Sequence, residues 1–145
     1  MQPDDLAFFK ALAAEMNAHP ERFQPYGDAD FAAVVAMERA GRAPFQVRLE
    51  FEGVRCDDVC LVEGDAADAG DFVLEGPLDA WWAMFDDIRT HRRATGLQTI
   101  NSLALLADRI RLRGRDPMGL DKFSRFNQTL QQFLDGAAAV AVATT

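Results

Sequence analysis

FQVRLEFE, the run from Phe45 to Glu52, carries the architecture of this chain. Phe45, Val47, Leu49 and Phe51 alternate with Gln46, Arg48, Glu50 and Glu52, a period of two without a break. Successive side chains of a strand point to opposite faces, so this strand has one dry face and one wet face. Sheets built from such strands are antiparallel or mixed, with one face covered and one solvated.

The neighbouring segments extend the pattern. Phe31 to Glu38 suits either helix or strand; the short connection through Gly41 and Pro44 into Phe45 favours a strand. Cys56 to Val62 reads as a third strand, GDAADAG (Gly64 to Gly70) as a loop, and Asp71 to Glu75 as a fourth strand stopped by Gly76-Pro77. Arg109 to Arg115 alternates again, with Ile110 and Leu112 on one side and Arg109, Arg111, Arg113 and Arg115 on the other, and reads as a fifth strand.

Three segments follow the helical period instead. Leu6 to Ala18 places Phe9, Leu12, Ala13 and Met16 on one face, with Pro3, Asp4 and Asp5 at its start and Pro20 beyond its end. Pro77 suits a first helical turn, and Leu78, Trp81, Trp82, Phe85 and Ile88 form an apolar stripe closed by Arg89, His91, Arg92 and Arg93. Asp116 and Pro117 suit the cap and first position of a last helix. Its stripe is Leu120, Phe123, Phe126, Leu130, Phe133 and Leu134, Gly136 ends it, and the Ala/Val/Thr tail beyond is expected to fray. Residues 94 to 107 fit a short helix or an extended stretch equally. The expectation is an α+β domain of two layers over residues 1–145, with about five strands in a mixed or antiparallel sheet and helices covering one face.

Composition narrows the function. At 145 residues a chain can bury a core without disulfides or metal. Eleven Phe against one Tyr suit a dry interior, whether core or pocket, because Phe brings bulk without a hydroxyl to satisfy. A net charge of −8 argues against nucleic acid and against flat adsorption to anionic membranes. Cys56 and Cys60, if in one strand, lie roughly 13 Å apart, beyond disulfide reach, whereas a turn at Asp57-Asp58 would bring them closer. With an acidic start, no apolar run longer than Ala137 to Ala143, and an Ala143-Thr144-Thr145 end that is no peroxisomal signal, the expected setting is reducing and cytoplasmic, without integral membrane contact.

The usual chemical motifs are absent. No two glycines stand two apart, and Gly114 and Gly119 have Walker spacing but Leu120 follows where Lys is needed. The Cys and His residues, Cys56, Cys60, His19 and His91, match no zinc spacing. Ser102 and Ser124 lie in no strand-turn-helix elbow. Asp86 and Asp87 could offer a base but flank an apolar stripe, as a solvated helix face does. Asn127-Gln128-Thr129 is a glycosylation acceptor in form only. The alternating arginines suit ion pairing with residues such as Glu50 and Glu52 or simple solvation, or else an anionic headgroup, a coenzyme A phosphate or an acidic partner. Adjacent on a helix, Trp81 and Trp82 point about 100° apart, so one of them could line a pocket or a subunit contact.

Two segments and the order of elements resemble the sterol carrier protein 2 family. DFVLEGPLDAWWAMFDDI (Asp71 to Ile88) is similar to the family's short strand leading into a helix. ADRIRLRGRDPMGLDKFSRFNQTLQQFLDG (Ala107 to Gly136) is similar to its last strand, turn and closing amphipathic helix, with Gly114 at the family's glycine. The resemblance covers residues 28–138; the N-terminal segment and residues 92–107 depart from it. It implies a sterol, fatty acid or acyl-CoA held in an apolar tunnel between sheet and helices.

The expected function is therefore non-catalytic binding or transfer of a lipid-like molecule, without cofactor or metal. The expected ligand-binding residues are Val47, Leu49, Trp81, Trp82, Phe85, Ile110, Leu112, Met118, Phe123, Phe126, Leu130 and Phe133. Two other readings stand beside it: an accessory subunit of a lipid or steroid catabolic enzyme, and a small isomerase or hydratase with an apolar pocket and an Asp base; besides the lipid, the partner could be a second copy of the chain or an enzyme.

Overall fold

A computed structural model describes residues 2–106 and 109–140, with the side chain of residue 67 left aside. The strand read from Phe45 to Glu52 lies inside β2, Arg42–Gly53. Around it are β1, Ala29–Arg39, β3, Arg55–Leu61, β4, Phe72–Pro77, and β5, Arg111–Arg113. The sheet runs β3-β2-β1-β4-β5. β1 pairs antiparallel with β2 and parallel with β4, while β2–β3 and β4–β5 are antiparallel, so the sheet is mixed as expected. Phe31 to Glu38 is strand, not helix.

The helices are α1, Leu6–Ala18, α2, Leu78–His91, α3, Ile100–Leu105, and α4, Pro117–Asp135. α1 has the bounds read from its periodicity. α4 starts as its cap residues require: Gly119 N donates to the Asp116 carboxylate at 2.8 Å, with Pro117 in the first turn. α1, α2, α3 and α4 all contribute to one apolar core against the inner face of the sheet.

Several boundaries differ from the sequence reading. Gly76-Pro77 does not stop β4: Pro77 pairs in register with Glu38 at the end of the parallel ladder, beyond the reach of β5, and is at once the N-cap of α2. A proline is tolerated there because no neighbour needs its missing N–H. β5 is three residues long, not seven, because only Arg111 to Arg113 find partners on β4. Ile110 is fully buried just before it. The ambiguous stretch 94–107 holds a 3-10 turn, Gly96–Gln98, followed by α3. Beyond α4 the chain makes a 3-10 turn over Gly136–Ala138, with Ala137 buried; the rest of the expected frayed tail, residues 141–145, lies outside the described residues.

The outer face of the sheet is also drier than its alternation predicts. Val34, Ala36 and Val73 are buried under the segment read as a loop, where Ala66 and Ala69 pack on them. That segment contains a 3-10 turn, Ala66–Ala69, and its composition of small residues lets it lie flat on the sheet.

Gly114 and Gly119, weighed as a phosphate cradle, have a packing role. A Cβ at Gly114 would stand 2.9 Å from the Asp71 carbonyl oxygen, and one at Gly119 only 2.1 Å from it. Both glycines let the start of α4 press against the chain entering β4.

Candidate functional site

The inner layer is built from rings. On β1, Phe31 stacks between Phe51 of β2 at 4.6 Å and Phe126 of α4 at 5.3 Å, and lies 5.8 Å from Phe72 of β4. Phe133 meets Phe51 edge-on at 5.1 Å, and Phe123 meets Phe72 edge-on at 5.5 Å. α1 adds Phe8, edge-on to Phe85 at 4.9 Å, and Phe9, stacked on Phe45 at 5.9 Å. Such offset and edge contacts are the preferred aromatic geometries.

Eight of the twelve expected site residues meet in this layer. Val47, Leu49, Trp81, Phe85, Ile110, Phe123, Leu130 and Phe133 are all buried. Leu112 and Phe126 are partly buried at its margin. Trp82 points away from it and lines a surface cleft of about 570 Å³ with Leu78, Pro77, Asp4 and Arg39. Met118 is 78% exposed in the first turn of α4. Sequence reasoning missed the contribution of α1. Its stripe was legible, but nothing in it says that Phe8 and Phe9 pack over β2 and α2.

The layer is filled by side chains. The well-formed clefts are at the surface, beside Trp82, beside Phe45, Leu61 and Val62, and on the outer sheet face at Arg48, Glu50 and Asp71. Between sheet and helices the rings of Phe31, Phe51, Phe72, Phe123, Phe126 and Phe133 lie against one another.

Two polar atoms in the helical half are buried without a partner among the described residues: Nε1 of Trp81 and Oε1 of Gln98. Trp81 is 0% exposed. A buried donor left unpaired costs about 1–3 kcal/mol, and native proteins leave few of them.

The charged groups serve the fold. Glu75 accepts from Arg111, and from Arg113 at 2.9 Å. Desolvation raises its pKa, but the two arginines outweigh that and hold it below the usual carboxylate range. Arg109 pairs with Asp79, and Arg115 with Asp68. The arginine ladder is therefore ion-paired, but not to Glu50 or Glu52, because β1 and β4 lie between β2 and β5. Asp86 faces Arg89. Asp87 accepts from Thr95 N at 2.6 Å and from Thr95 Oγ1 at 2.9 Å, and pairs with His91. Desolvation opposes ionisation of Asp87, yet the Thr95 bonds and the His91 charge hold its pKa below the ordinary value. A carboxylate so engaged is a poor base. Asp135 accepts from Ala94 N and Gln131, and desolvation pushes it above the ordinary range.

Among the described residues no group of three His, Cys, Asp or Glu side chains could hold a metal ion. Cys56 and Cys60 are free thiols. No described helix is long and apolar enough to cross a membrane.

This two-layer arrangement defines a class. No family model matches the sequence, and no curated protein matches it. Two solved structures share its fold. The crystal structure of sterol carrier protein 2 is 19% identical, with a TM-score of 0.68, covering 97% of this chain and 100% of that one. The solution structure of a conserved hypothetical protein from Thermus thermophilus, put forward as a sterol carrier protein, is 20% identical, with a TM-score of 0.69, covering 100% of this chain and 94% of that one. The chain has the sterol carrier protein fold.

Proposed function

We propose that this protein binds and carries a single lipid-like molecule, seated between the inner face of the sheet and α2 and α4, without breaking a bond in it. The observation that carries the reading is the unpaired indole N–H of Trp81, fully buried within the apolar core. A ligand with an apolar body and one acceptor oxygen would satisfy that donor while keeping the layer dry. Fatty acids, acyl thioesters and sterols have that make-up, and the shared fold with sterol carrier protein 2 supports the same class. Val47, Leu49, Phe85 and Leu130 would form the walls, with Phe123 and Phe133 moving to admit the chain. The whole chain acts as one binding unit in this reading, in a reducing, cytoplasmic setting that suits the free thiols.

The test uses Trp81 as its own reporter. In a Trp82→Phe variant, titration with oleate, palmitoyl-CoA or cholesterol should change the indole emission saturably at one ligand per chain. The same ligand should raise the melting temperature, because binding to the folded state alone stabilises it. No saturable response to any of the three would overturn the reading.

A further inference from the structure

From Ile88 to Arg115 the chain carries seven of its fifteen cations and, at Asp108, one of its twenty-three acids. A net charge of −8 conceals this basic span. Within it the backbone is strapped to the outside of the helices: Ala94 N donates to Asp135, Thr95 N to Asp87, and Ile100 N to Gln131. Ile100, Leu103 and Ile110 point inward and are buried. Leu97, Leu105 and Leu106 are left 61%, 59% and 73% exposed. The Leu103 carbonyl accepts from Arg109 N at 3.2 Å and Ile110 N at 3.3 Å, so the arginine strand leaves from the same short helix that bears Leu105 and Leu106. Arg92 and Arg93 are exposed just before Leu97, where the chain turns through a left-handed Arg92 with φ of 69°. Arg92 makes its bond to the Ala138 carbonyl at 3.4 Å and has no carboxylate partner among the described residues.

We propose that this face, with Leu97, Leu105 and Leu106 as apolar anchors and Arg92 and Arg93 as its charges, docks the protein on the surface of an anionic lipid bilayer. Exposed aliphatic side chains flanked by arginine suit the boundary between headgroups and acyl chains. Anionic headgroups attract each basic group near the surface. A protein partner fits less well, because protein interfaces favour aromatic anchors over leucine. Arg111 and Arg113 pair with Glu75, and Arg111 also with Glu38, so the neighbouring strand is charge-balanced and the proposal rests on Arg92 and Arg93. The inference concerns a surface and stands apart from the cargo reading.

The test is co-sedimentation with vesicles of phosphatidylglycerol and of phosphatidylcholine. The wild type should bind the anionic vesicles about tenfold or more tightly than the zwitterionic ones, and lose that preference as salt is raised. Arg92→Glu with Arg93→Glu should abolish the preference. Leu105→Ser with Leu106→Ser should weaken binding about tenfold even at low salt. Leu61→Ser removes an equally exposed leucine at the far edge of the sheet and should change nothing. All variants alter exposed side chains, and an unchanged melting temperature confirms that each is folded. Equal binding to both vesicle types, no binding to either, or an equal loss on Leu61→Ser would overturn the proposal. Vesicle binding in the absence of any lipid uptake would uphold it while overturning the carrier reading.

Discussion

Asn17 holds Cys56 by both of its backbone groups: Asn17 Nδ2 donates to the Cys56 carbonyl at 3.0 Å, and Cys56 N donates to Asn17 Oδ1 at 3.0 Å. Cys56 sits in the edge strand β3, next to the irregular pairing between Glu50 and Phe51, where the ladder is interrupted. The side chain at the end of α1 thus takes the place of a missing strand and fastens the helix to the sheet. Asn17→Ala leaves a part-buried donor and acceptor unmet and should cost about 2 kcal/mol. Asn17→Asp keeps the acceptor alone and should fall between. Urea unfolding followed by fluorescence measures both; equal stability of Asn17→Ala and wild type would contradict this role.

Burial pushes the Cys56 thiol up to about 12, with the nearby Asp57 and Asp58 charges adding to the effect. Cys60 is also raised but is only partly buried. At mildly alkaline pH a thiol reagent should label one cysteine of the native protein, Cys60, and both after unfolding. A folded-state pKa above the unfolded one also means that stability is kept below the ordinary thiol value and is lost as pH rises through it towards 12.

The carboxylates give opposite pH dependences. Asp87 and Glu75 are held below their ordinary values, so their contribution is full above the ordinary carboxylate range and disappears as pH falls through the depressed values. Asp135 is raised, so its contribution is present below the ordinary value and is lost as pH rises through the raised one. Asp135→Asn keeps an oxygen for Ala94 N and removes the titration. Unfolding free energies from about pH 3 to 8 should show the variant gaining on the wild type as pH rises. A constant difference across that range would contradict the assignment.

Gly119→Ala should be among the most damaging single changes, at about 3 kcal/mol or more, because its Cβ would meet the Asp71 backbone oxygen at 2.1 Å. Gly114→Ala, with a contact of 2.9 Å to the same atom, should cost less. Thermal melts rank the two, and the opposite order would contradict the close approach at Asp71.

Trp81→Phe removes the unpaired N–H together with some packing area. These effects oppose each other, so the change should cost no more than about 1 kcal/mol in the free protein. It should weaken oleate more than a hydrocarbon of equal length, which has no oxygen for the indole to meet. Equal losses for both would separate Trp81 from ligand recognition.

Much of the fold was legible because its signals are local. Alternation at Phe45 to Glu52 identified β2, the stripe from Phe9 to Met16 located α1, and Asp116-Pro117 marked the start of α4. The alternation from Arg109 to Arg115 runs well beyond the three residues of β5 that find partners, so periodicity overstates its length. The candidate site was half legible: residues of a stripe could be named, but Trp82 and Met118 belong to the same stripes or turns and point elsewhere.

Spacing along the chain is enough to say that this is a two-layer α+β protein with an apolar inner face, since helix and strand periods are properties of consecutive residues. Strand order, the parallel β1–β4 pairing, the burial of Val34 and Val73 beneath residues 64–70, and the pairing of Arg111 with Glu75 join residues far apart in the chain. No periodicity encodes those contacts. They follow from which surfaces exclude water together once the elements have packed, and so does the filling of the space between sheet and helices by Phe8, Phe9 and their neighbours.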